Sequence, residues 1–246
     1  MLKTERMDRV RAALRAQGLT QMIVCDPKSV WYLTGVAVEP YERLLSLYLP
    51  TEGEPVLFLN RLFNVPEPPC RTVWHTDTDK PVAQIAEVVD AGKPLGIDKE
   101  WPAKFLIPLM ETHPGMQVVL SSDCVDDCRA CKDAEEQTLM REASRINDAV
   151  NEAAKHYIKA GMTEREVAEF IDAQFRAHGC EGPSFTTIVS FGANAADPHH
   201  EPDDTVLKEG DCVLFDMGCV KSRYCSDMTR TWFCGQPTEK QAAVHD

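Results

Sequence analysis

The chain has 246 residues, 43% of them hydrophobic, and a formal net charge of −13 from 39 acidic and 26 basic residues. That length and apolar share suffice for one large or two small domains with a sizeable core, and no run of about 18 apolar residues is present to span a bilayer. An acidic field repels phosphate backbones, which argues against nucleic-acid binding, while it favours cations and the ammonium end of a peptide.

The first 18 residues form a charged amphipathic pattern without the apolar core of a signal peptide, so the chain is expected to be cytoplasmic and its ten cysteines reduced. Residues 5–16 are expected to be helical, with Val10 and Leu14 on one side and Gly18 as the stop. Met22 to Cys25 reads as a strand, and Asp26-Pro27-Lys28-Ser29 as a turn. Residues 44–49 and 55–59 are apolar runs separated by Thr51-Glu52-Gly53-Glu54, which predicts a hairpin. Helices over 81–90 and 102–112 then alternate with strands over 95–98 and 117–120, the pattern of a sheet covered by helices. Cys124, Cys128 and Cys131 have the spacing of one helix face, and with no second ligand pair nearby they are expected to form a buried thiol stripe. His75 and His113 are isolated and expected to have no chemical role.

At Lys132-Asp133 the texture changes, which divides the chain into expected domains 1–132 and 133–246. A long helix carries Leu139, Ala143, Ile146, Val150, Ala153 and Tyr157 inward. After Gly161, Thr163-Glu164-Arg165-Glu166 is a capping box that starts a second helix, with Val167, Phe170, Ile171 and Phe175 inward until Gly179. A strand over 184–191 leads to a Pro- and Asp-rich loop holding His199, and Thr238 is placed to cap a last helix from Glu239.

The chemistry concentrates between residues 191 and 233. Leu214 to Gly218 and Tyr224 to Thr231 are both strand-like, with a single carboxylate in each, Asp216 and Asp227. A hairpin closed at Lys221-Ser222 sets the two aspartates directly opposite on one face, where two like charges require a cation or a shared proton. Hard carboxylate oxygens suit Mg or Mn, and an added imidazole extends the choice to Zn or Co. His199 lies 17 residues before Asp216.

Three segments in this order, Phe191-Gly192-Ala193-Asn194-Ala195-Ala196-Asp197-Pro198-His199, Val213 to Gly218 and Ser226 to Thr231, resemble the core of the Xaa-Pro peptidases. These are the prolidase and aminopeptidase P group of the pita-bread metallopeptidases; Tyr32-Leu33-Thr34-Gly35 is similar to a segment of their N-terminal domain. The resemblance implies an α/β protein: a creatinase-like N-terminal mixed sheet flanked by helices, followed by the first half of a pita-bread α+β catalytic domain. It implies Asp216 and Asp227 as metal ligands, His199 as the substrate-side catalytic histidine, and two divalent ions (Mn, Co or Zn). It further implies a proline-containing peptide as substrate and a homo-oligomer. The family site needs one more histidine and two glutamates from the second half of its domain, so the 246-residue chain alone is expected to bind metal weakly and to hydrolyse little. Two alternatives stay open: a non-enzymatic relative used for protein contacts, and a metal-free creatinase-like amidinohydrolase, which the paired aspartates disfavour.

Overall fold

Successive residues of strand β1 (Gln21–Val24) enter two different cores: Met22 and Val24 pack with Leu47, Leu49, Leu57 and Leu59, whereas Ile23 packs with Tyr48, Val56 and Phe58. This period-two alternation is what a sheet covered on both faces requires. The computed structural model describes residues 2–245 and divides the chain into two compact units, Met1–Cys131 and Lys132–Asp246.

In the first unit, α1 (Thr4–Ala16), α2 (Pro27–Thr34) and α5 (Asp123–Ala130) supply the core on one face of the sheet. The helices α3 (Pro81–Ala86) and α4 (Ala103–Thr112) supply the core on the other. The remaining strands are β2 (Ser46–Pro50), β3 (Val56–Asn60), β4 (Arg71–His75), β5 (Leu95–Ile97) and β6 (Val118–Leu120). The sheet order is β4-β3-β2-β1-β5-β6 and the sheet is mixed: β1 is antiparallel to β2 and parallel to β5. The hairpin expected over 44–59 is present as β2 and β3.

Two expectations for this unit are corrected, and one strand is added to those expected. Residues 26–29 are the start of α2, not a turn: the Asp26 carboxylate accepts the Lys28 and Ser29 N–H groups at 3.3 and 2.9 Å, and Pro27 follows at the first helical position, where its missing N–H costs nothing. Strand β4, hidden behind the prolines at 66, 68 and 69, adds a parallel edge to β3. The thiol stripe is only two long, because α5 ends at Ala130: Cys124 and Cys128 are buried while Cys131 is exposed. His75 is buried against Asn60 and the Leu44 carbonyl, a structural role.

The second unit begins with α6 (Ala134–Tyr157) and α7 (Glu164–Ala177), each opened by a complete capping box, Asp133 with Glu136 and Thr163 with Glu166. Ala143, Val150 and Ala154 from α6 and Val167, Ile171 and Phe175 from α7 form one core with the strands. The inward stripe of α6 is narrower than the sequence suggests: Leu139, Ile146, Ala153 and Tyr157 are only partly buried, whereas Asn147 is fully buried. Of the strand expected over 184–191 only the last four residues form one, β8 (Ile188–Phe191), and a separate two-residue strand, β7 (Gly182–Pro183), precedes it. There follow a 3-10 turn over Gly192–Ala196, β9 (Cys212–Met217), β10 (Cys219–Lys221), β11 (Tyr224–Cys225), β12 (Met228–Phe233) and α8 (Glu239–His245). Thr238 caps α8 as expected, exchanging hydrogen bonds with Gln241 at 2.7 and 3.2 Å.

These strands form two small sheets, β12-β9-β8 and β11-β10-β7. Val213, Phe215 and Met217 of β9 are buried in the core, with Trp232 edge-on to Phe215 at 4.8 Å, while Cys212, Leu214 and Asp216 lie on the more open side.

The register differs from the expected hairpin by two residues. Val220 pairs with Cys225 and Lys221 with Tyr224, so the turn is Ser222-Arg223, and Asp216 stands opposite Thr229 rather than Asp227. Ser222 and Arg223 both adopt positive φ, 50° and 67°, which a two-residue turn matching the twist of its strands demands at both central positions. Turn chemistry alone does not reveal this, because neither residue is the usual Asn or Gly.

Candidate active site

Three short segments of the second unit carry the residues of interest, and each is held by contacts traceable to particular side chains. Asp216, half-buried near the end of β9, accepts a hydrogen bond from the Thr229 hydroxyl at 2.9 Å across the ladder. Asp227 is exposed and lies two residues before Thr229, just ahead of β12. Asp216 therefore faces Thr229 across the ladder, and Asp227 is displaced from it by two residues, in the segment that leads into β12. Among the described residues, neither aspartate has a Lys or Arg ion-pair partner.

Between β9 and β10 the chain passes through Gly218, which is clasped to the segment before Asp227. The Ser184 N–H donates to the Gly218 carbonyl at 3.0 Å, and the Ser184 hydroxyl donates to the Ser226 carbonyl at 2.8 Å. Ser226 in turn accepts the Cys219 N–H on its hydroxyl and donates its own N–H to the Cys219 carbonyl. Behind this junction, the buried Asn147 of α6 donates to the Met217 carbonyl at 3.0 Å. The glycine after Asp216 and the serine before Asp227 thus bring the two carboxylate-bearing segments together.

His199 is exposed at the tip of the loop after β8, where its N–H donates to the Asp197 carboxylate at 3.0 Å. The adjacent His200 turns inward: its Nε2 lies 2.6 Å from Oε2 of Glu164, a fully buried carboxylate at the start of α7. Glu164 was legible in the sequence only as part of a capping box; its burial under a loop some thirty residues away has no local signature.

On distance alone, Glu164, His200 and Asp203 could hold a cation, since one ligand atom from each lies within 4.8 Å of the others. Glu164 is already committed, however. Oε1 accepts from the Phe191 N–H at 2.7 Å and the Asn194 amide at 3.0 Å, and Oε2 from His200 and the Asp203 N–H at 3.2 Å. Four donors fill the lone-pair sites of one carboxylate, so the cluster is a hydrogen-bonded clamp. No third His, Cys, Asp or Glu joins Asp216 and Asp227 within that same limit among the described residues.

Two carboxylates beside the clamp titrate below their ordinary range. Asp203 is lowered chiefly by hydrogen bonds from the Thr205 side chain and N–H, and Glu166 by the Thr163 N–H. A depressed carboxyl contributes stability that is fully present above its unfolded value of about 4 and is lost as the pH falls through its folded value. Acidification below pH 4 is therefore expected to loosen the stems of the His199 loop. The check is hydrogen exchange of residues 192–205 between pH 6 and pH 3, corrected for intrinsic rates, with Asp203→Asn and Glu166→Gln each weakening the dependence.

Comparison with known proteins decides the family. Residues 138–246 match metallopeptidase family M24, and residues 6–131 match the creatinase/prolidase N-terminal domain. The chain belongs to metallopeptidase family M24. An uncharacterized peptidase of Staphylococcus epidermidis is 30% identical over 241 residues, covering 96% of this chain and 68% of that protein. The crystal structure of recombinant prolidase from Thermococcus sibiricus superposes with a TM-score of 0.90 at 29% identity, over 100% of this chain and 69% of that one. Dipeptidase PepE from Mycobacterium ulcerans gives 0.88 at 30% identity, over 98% and 67%. The chain thus spans about two thirds of the length of these relatives. The mixed α/β architecture is the pita-bread, creatinase-like fold of the prolidases, and membership of M24 makes the chain part of a hydrolase family that uses divalent metal and acts on peptides. No helix among the described residues is long and apolar enough to cross a membrane.

Proposed function

We propose that this M24 chain contributes to hydrolysis of the peptide bond preceding proline, with Asp216 and Asp227 as metal ligands and His199 as the group that meets the substrate. The observation that carries the reading is the pair of carboxylates on segments clasped at Gly218 and Ser226, neither of them ion-paired to a Lys or Arg among the described residues. Their chemistry fits a hard or borderline divalent ion: both donors are carboxylate oxygens, and Asp216 keeps free lone pairs beyond the one Thr229 engages. Bound there, the metal supplies Lewis acidity and a nucleophile at neutral pH.

The chain's own residues add two further roles. Thr229 orients the Asp216 carboxylate, and the exposed imidazole of His199 donates to the substrate carbonyl oxygen as negative charge develops on it. The preference for proline rests on the likeness to prolidases, and the choice among Mn, Co and Zn is open to metal exchange.

The deciding experiment compares the 246-residue chain, charged with Mn²⁺ or Co²⁺, with a chimera in which the C-terminal third of the Thermococcus sibiricus prolidase follows it. Xaa-Pro and Xaa-Ala dipeptides are offered to both. We expect negligible turnover by the chain alone, because two carboxylates are a small part of the shell such an ion takes, and Asp216-dependent cleavage of Xaa-Pro by the chimera. A folded, metal-loaded chimera that cleaves Xaa-Ala equally well would sink the proline specificity. In the same chimera, His199→Ala is expected to lower kcat about 100-fold with metal content unchanged; parallel loss of metal would make His199 a ligand.

A further inference from the structure

We propose that Glu164 is a positioning residue for His199, holding both stems of the loop that carries it with a single buried carboxylate. The proposal rests on the reading of His199 as the substrate-side group. Oε1 takes the entry stem through the Phe191 N–H and the Asn194 side chain, and Oε2 takes the exit stem through His200 and the Asp203 N–H. His199 lies between these attachments at the exposed tip, where its own N–H donates to the Asp197 carboxylate.

Chemistry defines the protonation pattern within the clamp. Glu164 already accepts three other N–H groups as a carboxylate, which makes His200 Nε2 the donor in the 2.6 Å contact, so that nitrogen is not an acceptor for the Asn194 amide 3.2 Å away. The two amide hydrogens of Asn194 go instead to Glu164 Oε1 and, at 3.1 Å, to the Thr205 hydroxyl. Glu164 itself cannot drift. Its N–H donates to the Thr205 carbonyl at 3.1 Å, the next N–H, of Arg165, donates to the Asp203 carbonyl at 3.1 Å, and Thr163 bridges to Val206. The first turn of α7, the entry stem and the exit stem are thereby one unit, and the tip inherits its position from a rigid helix rather than from the loop's own contacts.

The test is hydrogen exchange of the full chain with a ¹³C-labelled histidine spectrum. Glu164→Gln replaces one acceptor oxygen by a donor that faces other donors. It is expected to raise exchange over residues 192–203 about tenfold or more, with α6, β9 and β12 unchanged, and to move the His199 ring signal. His200→Ala should do the same, and His200→Gln, which keeps an N–H donor, should restore most of the protection; a residue acting by bulk alone would show no such rescue. A folded Glu164→Gln protein with wild-type exchange over 192–203 and an unmoved His199 signal overturns the proposal. Should Glu164→Gln not fold, wild-type exchange in His200→Ala overturns it equally. None of these readouts needs turnover, so failure of the Xaa-Pro reading appears separately, in the peptide assay.

Discussion

Gly218→Ala is expected to destabilise the unit formed by residues 132–246 by about 3 kcal/mol, at the upper end of the cost of forcing extra volume into a packed interior. The glycine is not there for unusual backbone angles. A Cβ at position 218 would stand 2.0 Å from the Ser226 carbonyl oxygen and 2.2 Å from the Ser184 hydroxyl. The serine side chain can rotate away, but the carbonyl is backbone and belongs to the segment carrying Asp227. Relief therefore requires moving Ser226 off Gly218, which breaks the paired hydrogen bonds between Ser226 and Cys219. Trp232 is the one tryptophan of this unit, so a variant lacking Trp31, Trp74 and Trp101 reports its urea unfolding by fluorescence. A midpoint unchanged on adding Gly218→Ala would show the junction to be looser than the hydrogen bonds imply. In the chimera the same substitution should also weaken metal binding, because it separates the two carboxylates.

Asp216→Ala is expected to abolish metal-dependent turnover of the chimera, by at least about 1,000-fold, and to remove the weak Mn²⁺ binding of the 246-residue chain. Removing one of two carboxylates leaves a single exposed oxygen ligand from this chain, no better than an ordinary surface acid. The substitution relieves mutual repulsion between the aspartates, so the folded state should be at least as stable as wild type without metal and less stabilised by its addition. Calorimetric Mn²⁺ titration and melting with and without metal separate these effects. Thr229→Val, which removes the hydroxyl from Asp216 while keeping the strand shape, should give a smaller loss of about tenfold. Metal binding by Asp216→Ala equal to wild type would refute the ligand assignment.

The amino-acid sequence by itself determined most of the elements and the segments that carry the chemistry. Periodicity identified α1, α6 and α7, the capping boxes marked where α7 and α8 begin, and apolar runs marked the hairpin of β2 and β3, because these signals are local and repeat within a few residues. The residues around His199, Asp216 and Asp227 were enough to reveal the family resemblance, and membership of M24 follows from comparison. What the tertiary structure decided was register and partnership. A turn at Lys221-Ser222 would set the aspartates directly opposite, but the chain turns at Ser222-Arg223, a choice set by how the flanking strands twist and pair rather than by the turn residues. Glu164 lies 36 positions from His200, and a helix-start glutamate normally faces water; its burial exists only because the loop folds back over the first turn of α7. Gly218 likewise looks like any strand-end glycine until Ser226 is brought within contact of the place a side chain would fill. Local propensity is written in neighbouring residues, whereas close approach between distant segments is a property of the packed chain.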